Sequence, residues 1–139
     1  MIGAAKPFAG PRTPRARSLR ILVLEDDAII GMLLAEMLEE MGHEVCAIEA
    51  TETRAISAAS RCKPELMIVD ARLRHGSGIS AVDKICLAEP VPHLFLSGDV
   101  SGVRAMRPHA IVVQKPFREG DLAKAIQSTL DIAGVNRSP

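Results

Sequence analysis

Five short apolar runs recur along the chain, and each is followed by a stretch whose apolar residues return at helical spacing. The first run covers residues 19–24. Residues 27–41 then place Ile30, Leu33, Leu34, Met37, Leu38 and Met41 on one helical face, with Gly42 as a C-terminal stop. Residues 44–48 read as a short strand with polar ends, as suits a sheet edge. A second helix begins near Thr51, whose hydroxyl can cap it, and ends before Pro64. The third strand is 66–70. A loop containing His75, Gly76, Ser77 and Gly78 leads to a third helix with Ile79, Val82, Ile85 and Cys86 inward, stopped at Pro90. Residues 93–97 form the fourth strand. Pro108 confines the next helix to 101–106, and a fifth strand, 110–114, precedes a helix over 118–133 that turns Leu122, Ala125, Ile126 and Leu130 inward.

Short, nearly continuous apolar strands separated by helices are parallel strands buried on both faces, joined by right-handed crossovers. The expected fold is therefore α/β, a doubly wound five-stranded parallel sheet. Periodicity does not fix the strand order. The order 2-1-3-4-5 would set the first and third strands side by side and bring Asp26 and Asp70 together at the carboxyl edge, where such sheets bind ligands.

A chain of 139 residues with 47% hydrophobic content can bury one core but has little room for a second. Formal net charge is zero, with 17 basic and 17 acidic residues, yet five basic residues (Lys6, Arg12, Arg15, Arg17, Arg20) precede the first acid, Glu25. From Glu25 onward 12 basic residues face 17 acidic ones, a net of −5, which argues against a duplex-DNA footprint. Residues 1–18 hold three prolines, arginines and no acid, and are expected to be a disordered basic extension of the 19–134 domain, with 135–139 as a tail. No apolar run reaches the roughly 18 residues that span a bilayer, so no membrane segment is expected. Cys46, Cys62 and Cys86 lack C-x-x-C spacing and read as buried thiols of a cytoplasmic protein. His43, His75, His93 and His109 share no ligand spacing and read as surface or loop residues.

The candidate chemistry is acidic. Glu25, Asp26 and Asp27 directly follow the first run, and Asp70 closes the third. Acid in a first helical turn suits the macrodipole, and Asp27 alone is best explained that way. That explanation does not cover an acid after two separate buried strands. Clustered like charges favour a neutralising cation, and hard oxygen ligands suit Mg²⁺.

Five landmarks carry a resemblance: Glu25-Asp26 after the first strand, Asp70 at the end of the third, Gly78 eight residues on, Ser97-Gly98 after the fourth, and Lys115-Pro116-Phe117 after the fifth. In that order the chain resembles a response-regulator receiver domain of two-component signalling, of the single-domain, chemotaxis-regulator-like kind with a flavodoxin-like sheet, over about 19–134. The resemblance implies that Asp70 accepts a phosphoryl group from a sensor histidine kinase or histidine phosphotransfer protein. It implies Asp26 as a direct Mg²⁺ ligand, Glu25 as a ligand through water, and the backbone carbonyl of Arg72 as completing the shell with Asp70. Lys115 would pair with Asp70 and later with a phosphoryl oxygen, Ser97 would supply the switch hydroxyl, and the Lys115-Pro116 bond would be cis. Output would pass through protein contacts or a phosphorelay, by a monomer or weak dimer, since only residues 134–139 follow the last helix and no DNA-binding domain is expected.

Three departures from the family pattern stand out. Val112 falls where many receivers carry an aromatic switch residue, and the chain has no Tyr or Trp. Seventeen residues separate Ser97 from Lys115, about one helical turn fewer than usual, so the fourth helix is expected to be short or irregular. The loop after Asp70 carries Arg72 and Arg74 in place of the frequent proline, and Arg72 is placed to pair with Asp99 over the site mouth. A haloacid-dehalogenase-type phosphatase would need D-x-D, but Arg72 stands two after Asp70. A dinucleotide site would need a glycine-rich turn where Glu25-Asp26-Asp27 stands. The alternative from another class is a phosphorylation-independent receiver-like scaffold that binds a partner through its fold.

Overall fold

The computed structural model describes residues 18–134; the basic extension up to residue 17 and the 135–139 tail read from the sequence lie outside them. Strands β1 (Arg20–Leu24), β2 (Glu44–Glu49), β3 (Leu66–Asp70), β4 (His93–Ser97) and β5 (Val112–Gln114) alternate with helices α1 (Ala28–Glu40), α2 (Glu52–Cys62), α3 (Gly78–Ala88), α4 (Val100–Met106) and α5 (Glu119–Ala133). All neighbouring strands pair parallel in the order β2-β1-β3-β4-β5, so β2 is an edge strand.

Burial on both faces explains the unbroken apolar strands. Ile21, Val23, Leu66, Ile68, Leu94 and Leu96 meet Leu34 and Leu38 of α1 and Leu122, Ile126 and Leu130 of α5. The alternate residues Leu22, Leu24, Met67, Val69 and Phe95 meet α2, α3 and Val103 of α4. Because side chains alternate across a strand, one five-residue run feeds both layers. Each such large side chain stabilises the fold by about 1.5–3 kcal/mol on burial.

Local chemistry starts the helices where the sequence places them. Asp27 Oδ1 accepts the N–H groups of Ile29 and Ile30 at 2.9 and 3.1 Å, Thr51 Oγ1 that of Arg54 at 3.2 Å, and Ser77 Oγ that of Ser80 at 3.2 Å. Asp27 therefore caps α1.

Several expectations are corrected. Leu33 is 52% exposed, although helical spacing assigns it inward. Gly31 faces the sheet in α1, where a Cβ would lie 3.0 Å from Ile48 Cγ2. Regular pairing in β5 begins only at Val112. His93, read as a surface or loop residue, opens β4 half-buried with its ring edge-on to Phe95 at 5.5 Å. The fourth helix is short as expected, at 7 residues.

Candidate functional site

Strand register assembles the site. Leu24 pairs with Val69, so Glu25 and Asp26 leave the sheet beside Asp70. Asp70 pairs with Leu96, and Ser97 pairs with Gln114, which brings Ser97 and Lys115 to the same carboxyl edge. The Lys115-Pro116 peptide bond is cis, as the resemblance implies.

Lys115 Nζ lies 2.9 Å from Asp70 Oδ2 and 3.3 Å from Glu25 Oε1. Glu25 is 2% exposed and Asp70 6%, so one ammonium group faces two buried carboxylates. Burial pushes Glu25 above the usual carboxylate range, and the nearby Asp70 charge adds to it, against the Asp27 N–H bond and Lys115. Burial alone would lower Lys115, but the hydrogen bonds and charges of Asp70 and Glu25 outweigh it and raise it. The raised Lys115 reflects the two carboxylates that face it, whereas the raised Glu25 reflects its burial first and the Asp70 charge second.

Asp26 is half-buried, and its Oδ2 accepts the Arg74 N–H. Asp70 Oδ1 accepts the Arg72 N–H at 3.0 Å, which sets the Arg72 peptide beside the carboxylates. Oxygens of Glu25, Asp26 and Asp70 all lie within 4.8 Å of one another. This set of hard oxygens, with less than compensating positive charge, fits a divalent cation such as Mg²⁺. It is the one cluster of potential metal ligands among the described residues, and no histidine or cysteine joins it.

Ser97 is buried, and its Oγ accepts the Asp99 N–H at 2.9 Å; a hydroxyl that accepts in this way still carries a proton it can donate. The expected Arg72–Asp99 ion pair does not form. Asp99 Oδ1 instead accepts from Gly102 N at 3.0 Å and Ser101 Oγ at 3.2 Å, because a helix this short needs its first N–H groups capped. A cleft of about 310 Å³ lies alongside, between the loop after Asp70 and α4.

The sequence reading missed two features. Glu25 contacts Lys115 directly, although the sequence gives it only a role through water. Glu52 of α2 reaches the loop after Asp70, accepting from Ser77 N at 3.3 Å and Ser80 Oγ at 2.8 Å. No local signal in the sequence marks that contact.

Residues 21–127 match the response regulator receiver domain. The chain belongs to that family. Among curated proteins it is 31% identical over 126 residues to the phyllosphere-induced regulator PhyR of Methylorubrum extorquens, covering 88% of this chain and 47% of that protein. It is 34% identical over 127 residues to the transcriptional regulatory protein PdtaR of Mycobacterium tuberculosis, covering 86% of this chain and 62% of that one. The solution structure of the PhyR receiver domain of Erythrobacter litoralis superposes with a TM-score of 0.77 at 31% identity, over 88% of this chain and 95% of that one. The chain thus spans about half to three fifths of the curated relatives it matches. Receiver domains are signalling modules. No described helix is long and apolar enough to cross a membrane.

Proposed function

We propose that this chain is a phosphoacceptor response regulator in which Asp70 takes a phosphoryl group from a sensor histidine kinase or a histidine phosphotransfer protein. The observation that carries this reading is Lys115 Nζ at 2.9 Å from Asp70 Oδ2 inside a cluster with Glu25 and Asp26. A carboxylate oxygen of Asp70 attacks phosphorus, the P–N bond to histidine breaks, and the leaving imidazole takes a proton. The product is an acyl phosphate. Asp26, Asp70, the Arg72 carbonyl and, through water, Glu25 would hold Mg²⁺, which when bound spreads charge from the transferring group. Lys115 supplies the second positive charge and moves from Asp70 to a phosphoryl oxygen. Ser97 donates its hydroxyl proton to another.

The protein acts by protein contact or phosphorelay and catalyses only its own phosphorylation and dephosphorylation. Incubation with a small phosphodonor and Mg²⁺ gives an acid-stable, base-labile phosphoprotein in the wild type and none in Asp70→Asn. Label that survives this substitution would move the acceptor elsewhere.

A second reading, a scaffold that binds its partner without phosphate, is favoured by the outward apolar residues Ile29, Met32 and Leu33 of α1. Partner binding unchanged in Asp70→Asn would select it.

A further inference from the structure

Glu52 opens α2 on the far side of the loop that follows Asp70, and three donors of that loop and of α3 converge on its carboxylate. Ser77 N–H donates to Oε1 at 3.3 Å, while Ser80 Oγ and Lys84 Nζ donate to Oε2 at 2.8 and 2.6 Å. Gly76, at φ +88°, lies so close that a Cβ there would stand 2.7 Å from Oε1. One side chain therefore grips the loop's last residue and the first two turns of α3, with Gly76 packed closely beside it. Ser77 in turn bridges back to Arg72, whose N–H reaches Asp70 Oδ1. The chain of contact runs from Glu52 through Ser77 and Arg72 to the acceptor carboxylate.

We propose that Glu52 is a positioning residue for the phosphoryl site, a latch that fixes the loop after Asp70 and with it the Arg72 peptide at the metal cluster. The inference deepens the phosphoacceptor reading and rests on it. Glu52 is suited to the task because Lys84, then Ser80 and Ser77, hold its carboxyl below the usual carboxylate range and keep it charged. A charged acceptor makes shorter and stronger hydrogen bonds than a neutral one. Three donors on one carboxylate also leave it few alternative rotamers. Opening the latch would let residues 72–77 sample more positions, so the Arg72 carbonyl would spend less time at the cation and attacking water would reach an acyl phosphate more easily.

The test compares full-length wild type with Glu52→Ala, Glu52→Gln and Lys84→Ala. Mg²⁺ affinity and the amide signals of residues 72–78 are read by NMR titration, aspartyl-phosphate lifetime after a small phosphodonor, and thermal midpoint in parallel. Glu52→Ala should weaken Mg²⁺ by about tenfold, the low end for partners that orient a ligand, and shorten the phosphate lifetime severalfold. Glu52→Gln, which keeps one acceptor oxygen, should fall between. Lys84→Ala, which removes one of the three donors, should weaken Mg²⁺ less than Glu52→Ala does, because the Ser77 and Ser80 contacts persist. Unchanged Mg²⁺ affinity and lifetime in Glu52→Ala, with only the midpoint lowered, would reduce Glu52 to a structural tie and overturn the proposal. Absence of label on the wild type would refute the phosphoacceptor reading alone, since loop amides and Mg²⁺ affinity are read without phosphate.

Discussion

The backbone N–H of Arg74 donates to Asp26 Oδ2 at 2.6 Å, so the loop after β3 is tied to the carboxylate best placed to take a cation. Asp26 is only half-buried, whereas Glu25 is already held by Lys115 and by the Asp27 N–H at 3.0 Å. A cation arriving at Asp26 competes with the loop for its oxygen. Titration with Mg²⁺ should therefore shift the Arg74 amide early and strongly. Asp26→Ala should lose more Mg²⁺ affinity than Glu25→Ala, for which about tenfold is expected of a group acting through water. Equal losses would show that the assignment of the two acids is wrong.

Gly78 allows α3 to start directly against the end of β3. A Cβ there would overlap the Asp70 carbonyl oxygen and stand 2.7 Å from Val69 Cγ1. Backbone cannot rotate away as a side chain can, so Gly78→Ala should cost about 1–3 kcal/mol in denaturant unfolding and lower phosphoryl uptake as well. Gly98, beside Ser97, has nothing within 4 Å of the corresponding position. Gly98→Ala should be neutral in unfolding, and a comparable loss in both variants would discount the overlap as the cause.

The sheet was legible because strands buried on both faces leave unbroken apolar runs, and the acids at the ends of two of them marked the site edge. Helix faces were harder. Residues 28–38 of α1 are apolar on nearly every side, so spacing could not decide between Leu33 and Gly31, and close packing of Gly31 on Ile48 decided it. Contacts between distant elements left no trace in local pattern. The Glu52 carboxylate and the Ser77 N–H it accepts are 25 residues apart, and the Cys62 thiol meets the Cys46 carbonyl at 3.5 Å across 16. The seventeen-residue gap between Ser97 and Lys115 did forecast a short α4, because chain length bounds what a loop and helix can hold.

Burial, reinforced by the adjoining Cys62 thiol, pushes the Cys46 thiol from 9.0 up to about 12. Between those values the folded chain keeps a proton that the unfolded chain has released, so this group's contribution to stability falls as pH rises through that window. Thiolate is the nucleophile in alkylation. At about pH 8 a three-unit difference leaves about a thousandfold less thiolate on Cys46 than in the unfolded chain. Iodoacetamide labelling read by peptide mass spectrometry should find Cys46 strongly protected in the folded protein, with its rate still climbing above about pH 10. Folded and unfolded rates within tenfold of each other at about pH 8 would contradict this.

Ser97 and Asp99 join the site to α4. The Ser97 oxygen accepts the Asp99 N–H, and Asp99 caps the helix, so a hydroxyl drawn toward a phosphoryl oxygen would loosen the cap and the short helix behind it. Val112, only partly buried, offers no bulky ring whose repacking could carry the signal into β5. Moving a population from 1:99 to 99:1 takes about 5.5 kcal/mol. One hydrogen bond to a charged group supplies roughly 1.5–3 kcal/mol, so the shift should be graded and completed by a partner. Amide NMR with a phosphoryl mimic should show its largest changes at residues 97–107, while α5, held through Leu122, Ile126 and Leu130 in the opposite layer, stays nearly silent. Ser97→Ala should flatten the response at 97–107 while leaving Mg²⁺ binding intact. Large shifts in α5, or loss of partner binding on Leu122→Ala at unchanged stability but not on substitutions at 98–107, would place the output on α5 and refute the α4 route.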